Sequence, residues 1–494
     1  MAAVAHGSDG ATPPAREASK LGQYSWALFD WANQPFFTLI TTFIFGPYFA
    51  NELVAANELA HLKAAVPTPT ADQLAQFQEQ ANAAGQAAWS ATQSISGAAI
   101  ALLSPFLGSM ADASGRRKPF ILVFQLLLGV GCAGLWFATP QRAELHWAIS
   151  FAVILATIGA EFSIVFNNAL LPTIVRPERI GWLSGFGWGL GYLGGLLSLF
   201  VVLAVRDPSM LGLAPAGSPP LFGLDDATNE VERLIGPASA VWLAIFVLPM
   251  FLFTPDGAAT GVRGLAAARQ GVLQLYDTVR KLRHYRNPTQ FLAAYMIYND
   301  GLAAVIALGG VYASATFGWS TVTLGVFGII LTIFACVGAF GGGALDDRLG
   351  SKITVQFAIV GVAIATLGIL SVSADSVLFV VPAGKLAPDR GLFGSLQELT
   401  FMGFAILLGI CMGPMQAASR TMMGRLAPVE MSGEFYGLFA LSGRATAFLC
   451  PTLIAIVTTA SQSQRLGLLV VLVFLMVGFA LLWGVRETRA VHVA

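Results

Sequence analysis

Charge is what this 494-residue chain has least of. Asp, Glu, Lys and Arg together make up 11% of it, against about 25% in a soluble domain. A water-facing surface cannot be built from so little charge, which excludes a large soluble protein. The 27 acidic and 27 basic residues cancel, so the basic footprint of a nucleic-acid binder is missing. Cysteine is scarce as well. Cys132, Cys336, Cys411 and Cys450 each fall inside an apolar run at no spacing that pairs them, and read as small buried hydrophobes. The five histidines (His6, His61, His146, His284 and His492) include no pair at metal-ligand spacing. No Gly-x-x-x-x-Gly-Lys-Ser/Thr loop occurs to cradle a nucleotide phosphate. No metal, cofactor or catalytic residue is therefore expected. The first twenty residues hold Pro13, Pro14, Arg16 and Lys20 but no apolar core, which reads as a polar tail and not a cleavable leader.

Apolar sequence is abundant, at 56%. A bilayer crossing needs about 20 mostly apolar residues, and twelve runs meet that length: 24–50, 89–111, 119–139, 145–171, 181–205, 238–254, 288–314, 320–345, 352–373, 396–419, 432–460 and 464–485. The reading is an all-α integral membrane protein of twelve spans. The longest basic connection, 255–287, divides it near the middle. With the N-terminus inside, 19 of the 27 Lys and Arg fall in inner segments and 7 in outer ones, with Arg444 mid-span. That asymmetry places both termini on the cytoplasmic side. The outer segment 51–88, rich in Ala and Gln, can extend span 2 as a helix beyond the membrane. The outer loop 206–236 carries Asp207, Asp225, Asp226, Glu230 and Glu232 and reads as solvated.

One loop occurs twice, 235 residues apart. Gly108, Asp112, Gly115, Arg116, Arg117 and Lys118 follow span 2; Gly343, Asp347, Gly350 and Lys352 follow span 8. Pro177-Glu178-Arg179 and Pro428-Val429-Glu430 repeat between spans 4–5 and 10–11. Two copies of one six-span unit are implied: 24–254 and 288–486, joined by a cytoplasmic linker 255–287, with tails 1–23 and 487–494. The repeated aspartate is expected to pair with an inner arginine, or meet a helix N-terminus, when that side is shut. Span 5 carries Gly181, Gly185, Gly187, Gly189, Gly191, Gly194 and Gly195, a spacing that lets a neighbouring helix come close and slide. Gly189, Gly191 and Gly194 also spell a dinucleotide fingerprint. No strand precedes them, so a nucleotide role is rejected.

An ionisable group inside a span costs about 2.5–3.5 kcal/mol on insertion scales, so each needs a reason. Asp30 lies in span 1, Glu161 in span 4, Asp300 in span 7 and Arg444 in span 11; Glu398 opens span 10. Asn33, Asn167, Asn168, Asn299, Gln416 and Arg420 are polar neighbours. Arg444 is expected either as counter-ion of Glu161 or Asp300, or as anchor for an anionic group. Burial disfavours the charged form of a carboxylate, so Asp300 or Glu161 is the expected proton carrier.

Gly-x-x-x-Asp-x-x-Gly-Arg-Arg-Lys after the second of twelve spans resembles the signature loop of the major facilitator superfamily. Within it, Phe29-Asp30-Trp31-Ala32-Asn33, Asn168-Ala169-Leu170-Leu171-Pro172, Ser184 to Tyr192, Tyr298-Asn299-Asp300-Gly301, Gln416 to Arg420 and Ser442-Gly443-Arg444 resemble the vacuole-effluxer family of autophagy-related amino-acid exporters. Gln34-Pro35 departs from that pattern, and Pro35 should loosen the helix. The resemblance implies the major facilitator fold, two pseudo-symmetric six-helix bundles. It implies a central cavity lined by spans 1, 4, 7 and 10, with Asp30, Trp31, Asn33, Glu161, Asn167, Asn168, Asn299, Asp300, Gln416 and Arg444 as its residues. The expectation is a monomeric secondary transporter in a bacterial inner membrane, moving a small polar solute outward, an amino acid by resemblance, with protons as coupling ion. A multidrug pump, kept open by Trp31, Trp188, Tyr192 and Tyr298, and a non-transporting scaffold are the alternatives.

Overall fold

The computed structural model describes residues 17–66, 68–215, 217–262, 264–280, 285–384, 386 and 391–487. The expected tails before residue 17 and after 487, and Arg263, Lys281, Arg283, His284, Lys385 and Arg390, lie outside these. Twelve helical segments among the described residues are long and apolar enough to cross a membrane. In chain order their helices are α1 (Lys20–Pro35), α2 (Ala71–Ser114), α3 (Lys118–Gly134), α4 (His146–Ile174), α5 (Ile180–Arg206) and α6 (Glu230–Phe253). They continue as α7 (Arg286–Phe317), α8 (Thr321–Leu349), α9 (Ser351–Leu370), α10 (Leu396–Leu426), α11 (Ser432–Ala445, resumed at Leu449–Ser461) and α12 (Gln464–Trp483). A linker helix, Gly264–Arg280, lies between α6 and α7. A two-stranded hairpin, Ser376–Val377 against Val381–Pro382, precedes α10.

Local chemistry explains several boundaries. Pro35 has no N–H to donate, and from Phe36 to Phe43 the helix widens into π-geometry, as the departure at Gln34-Pro35 predicts. Thr70 and Gln73 form a reciprocal capping box that starts α2 well outside the expected span. Its 44 residues reach about 66 Å, more than twice the ~30 Å hydrocarbon core. Ser395 and Glu398 form a second capping box at α10, and Glu398 also accepts from the Trp319 indole at 2.8 Å. That polar start to α10 accounts for Glu398.

Three boundaries correct the sequence reading. α6 starts at Glu230, not 238, because the acidic stretch forms its first turn. α10 runs on to Leu426, so Arg420 and Arg425 are helix residues and not loop charges. Span 11 is broken at Thr446–Phe448.

Two apolar cores form. One gathers Trp26, Phe29, Phe162 and Phe166 from α1–α6. The other gathers Phe291, Tyr298, Phe401 and Phe435 from α7–α12, and takes in Val165, Ala169 and Tyr192 from the first half. The halves cross where glycine removes the side chain. A Cβ on Gly108 would stand 2.1 Å from the Gly433 carbonyl, and one on Gly185 would stand 2.5 Å from that of Ala339. So α2 lies on α11, and α5 on α8, at backbone distance.

Candidate functional site

Polar contacts between the halves lie in three levels along the bundle axis, starting from the end that holds both repeated loops. At that end each repeated aspartate caps a helix of the opposite half. Asp112, at the end of α2, accepts the N–H groups of Gly433 (3.0 Å) and Glu434 (2.7 Å) at the start of α11. Asp347, at the end of α8, accepts those of Gly181 and Trp182 at the start of α5, both at 2.8 Å. A carboxylate on a helix N-terminus satisfies orphan N–H groups and meets the positive end of the dipole. An arginine braces each. Arg117 pairs with Asp112 at 3.0 Å and donates to Ser432 at 2.9 Å. Arg425 contacts Asp346 (2.6 Å), Asp347 (3.4 Å) and Glu487 (2.9 Å). Arg116 is exposed. Gly115 (φ +74) and Gly350 (φ +99) end the two helices at positive φ, which glycine tolerates.

The repeat runs further than its motif. Asp256, just past α6, accepts the N–H groups of Arg117 and Lys118. Glu487, just past α12, accepts those of Ser351 and Lys352. Lys118 and Lys352 cap the ends of α6 and α12 through the carbonyls of Phe251 (2.9 Å) and Trp483 (2.7 Å). The signal was an acid three or four residues past the last span of each half.

About 9 Å deeper by helix rise, Arg420 of α10 crosses to the first half. Its guanidinium pairs with Asp30 of α1 at 2.8 Å. It donates to the Ser184 hydroxyl (2.9 Å), the Ser184 carbonyl (2.6 Å) and Asn168 Oδ1 (3.3 Å). It also lies over the Trp26 and Trp188 rings, 5.0 and 5.7 Å from their centroids. Arg420 is 3% exposed. The sequence reading left it outside the cavity set because span 10 was ended at 419. Its four-residue spacing from Gln416 was the available signal.

Deeper again, Arg444 of α11 pairs with Glu161 of α4. Their side chains keep 32% and 19% exposure, against 4% and 15% for Arg420 and Asp30, so Arg444 is much more open than Arg420 while the two acids differ little. Tyr295 stands against Gly443 beside it. Asn299 donates to the Gly443 carbonyl (3.3 Å), and Gln416 accepts from Tyr192 across the halves.

Other expected residues lie elsewhere. Trp31 stacks on Trp242 of α6, ring centroids 5.4 Å apart, because Gly194 leaves room for the indole there. Asn33 bonds to Gln125 within the first half. Asn167 is fully buried, its backbone carbonyl accepting the Trp26 indole N–H at 2.7 Å. Asp300 is 3% exposed and accepts the Cys450 N–H at 3.3 Å. It thus caps the resumed segment of α11 instead of facing Arg444.

Two six-helix halves meet at these contacts, and comparison with known proteins names the fold. The family described as "Vacuole effluxer Atg22 like" matches residues 18–494. The chain belongs to this family. An uncharacterized MFS-type transporter of Bacillus subtilis, YxiO, is 23% identical over 95% of this chain and 96% of its own length. Autophagy-related protein 22-1 of Aspergillus fumigatus is 25% identical over 62% of this chain; the chain spans about half (48%) of that fungal relative. The solved structure of the proton:xylose symporter XylE, bound to 6-bromo-6-deoxy-D-glucose, superposes with a TM-score of 0.65 at 12% identity, covering 95% of this chain and 96% of its own. The protein is therefore a multi-pass membrane transporter of the major facilitator superfamily, an Atg22-like secondary transporter that carries a solute across a lipid bilayer.

Proposed function

We propose that this transporter exports a small polar metabolite, an amino acid, across the cytoplasmic membrane of a bacterium. It does so as a monomer with both termini inside, driven by protons. The halves 24–254 and 288–486 rock against each other. The repeated loops form the cytoplasmic gate, held together by the contacts of Asp112 and Asp347 across the halves. The observation that carries this reading is the Glu161–Arg444 pair. It bridges the halves within the membrane, leaves part of both side chains exposed, and offers one charge of each sign. A zwitterion can part it, its carboxylate taking the arginine fork and its amine the glutamate. The substrate amine and a proton then compete for Glu161, so a proton arriving from outside displaces the amine and makes Glu161 the proton carrier of an antiporter. Asp300 is the second candidate for that role.

A greasy drug cavity finds less support. Of the aromatics that favour it, Trp31 is packed on α6, and Tyr298 is buried and bonded to Ser419. The test is uptake and efflux by the purified protein in proteoliposomes, with a pooled metabolite library, with and without a pH gradient. Proton-driven flux of amino acids is expected. Flux of drugs alone, or no dependence on the gradient, would reject the reading.

A further inference from the structure

The linker helix Gly264–Arg280 has two faces, and among its described side chains one face packs on the protein while the other is exposed. Ala267, Gly271 and Leu275 form a buried stripe that lies on the loop end of α2. A Cβ on Gly271 would stand 2.7 Å from the Met110 nitrogen. From the same helix Gln274 donates to Glu434 at 3.1 Å. Glu434 opens α11, and its N–H is one of the two that Asp112 accepts. The helix therefore straddles the α2–α11 junction at the gate. On the opposite side Val272, Leu273 and Tyr276 are 47%, 57% and 63% exposed. At 3.6 residues per turn they share an arc of about 100° with Arg269 and Arg280. Segment 255–287 holds Arg263, Arg269, Arg280, Lys281, Arg283 and Arg286 against two acids, Asp256 and Asp277. Asp256 is occupied by the Arg117 and Lys118 N–H groups.

An apolar strip flanked by arginines, at the end of a membrane span, has the character of a helix lying in a bilayer interface. We propose that this face docks on anionic headgroups of the adjoining leaflet, and that docking presses the linker helix onto α2 and α11 and favours the shut gate. Each arginine near such a surface contributes about 1 kcal/mol, or roughly fivefold in partitioning. No other strip of this linker is both apolar and basic among the described residues.

The test uses the full chain in phosphatidylethanolamine vesicles with and without phosphatidylglycerol. A fluorophore is placed on Leu273→Cys, with Cys132, Cys336, Cys411 and Cys450 replaced by alanine, and headgroup-level spin-labelled lipid is the quencher. Strong quenching is expected only with phosphatidylglycerol present, and it should be lost in Arg269→Gln/Arg280→Gln. Quenching that ignores lipid charge and the two arginines overturns the proposal. So does a label open to water in both membranes, or one shielded from lipid and water alike, which would show a protein partner. Should the cysteine-replaced chain fail to fold, hydrogen exchange of the unlabelled protein in nanodiscs decides the same question. Residues 264–280 should exchange more slowly with anionic lipid, and the Gly433 and Glu434 amides faster in the double glutamine variant. Equal rates in both comparisons refute the docking and the gate coupling. Neither readout needs a known substrate, so the outcome is independent of the cargo proposed above.

Discussion

Two arginines of the second half answer two carboxylates of the first, and their surroundings give them different work. Arg420 sits dry between two indoles with every side of its guanidinium engaged, so its bond to Asp30 is part of the closed structure. Taking one partner from a buried, hydrogen-bonded ion pair costs about 3–5 kcal/mol, because the other charge is left unpaired. Arg420→Gln is expected to lower the thermal midpoint sharply. Asp30→Asn/Arg420→Gln should recover much of the loss, a coupling that a double-mutant cycle in detergent measures. Arg444 is more exposed and has fewer partners, which suits the contact proposed above to open on each cycle. Glu161→Gln should retain exchange of substrate down its gradient but lose accumulation driven by pH. Arg444→Lys should fail in both assays, since an ammonium cannot reproduce the planar fork. Asp300→Asn should keep proton-driven transport, because an amide oxygen can still accept the Cys450 N–H. An uncoupled Asp300→Asn alongside a coupled Glu161→Gln would move the proton to span 7.

At the scale of the element, α5 shows how one helix serves two neighbours. Gly181, Gly185 and Gly189 turn toward α8, where Asp347, Gly343 and Phe340 approach; Gly187, Gly191, Gly194 and Gly195 turn toward α1. The first stripe crosses between halves and the second lies within one. A side chain on the first stripe should hold the gate ajar. Gly185→Val would set its Cβ 2.5 Å from a backbone oxygen, an overlap of the kind that costs about 1–3 kcal/mol in a packed site. The Gly181 and Trp182 amides, now bound to Asp347, should then exchange faster in hydrogen-exchange measurements. Unchanged protection would show that α5 and α8 part elsewhere. The break in α11 belongs to this scale too. It ends the first segment at Ala445, one residue after Arg444, and exposes a fresh N-terminus that Asp300 caps.

The whole molecule is a pair of halves latched at one end by two copies of the same device. Each copy has a carboxylate on the opposite half's helix, an arginine brace, and an acid past the half's last span that ties down the same repeated loop. Rocking must break both latches, and this predicts a change of distance there. Spin labels at the exposed Arg116 and Glu430, which lie on facing loops, should report one short distance in the shut state. A second, longer population should appear when substrate and a proton gradient are supplied. A single unchanged distance under turnover conditions would contradict the rocking mechanism.

Span number, the duplication and the polar residues inside spans follow from sequence alone, because hydrocarbon excludes charge and leaves a one-dimensional record of every crossing. Repetition in sequence likewise marks the two loops whose aspartates meet helices of the opposite half. The partners did not follow. That Asp30 meets Arg420 across 390 positions, that Arg444 meets Glu161 rather than Asp300, and that Trp31 turns to α6 were decided only when the helices packed. Hydropathy records depth along the membrane normal. It does not record the rotation of a helix about its own axis, and that rotation selects each charge's partner.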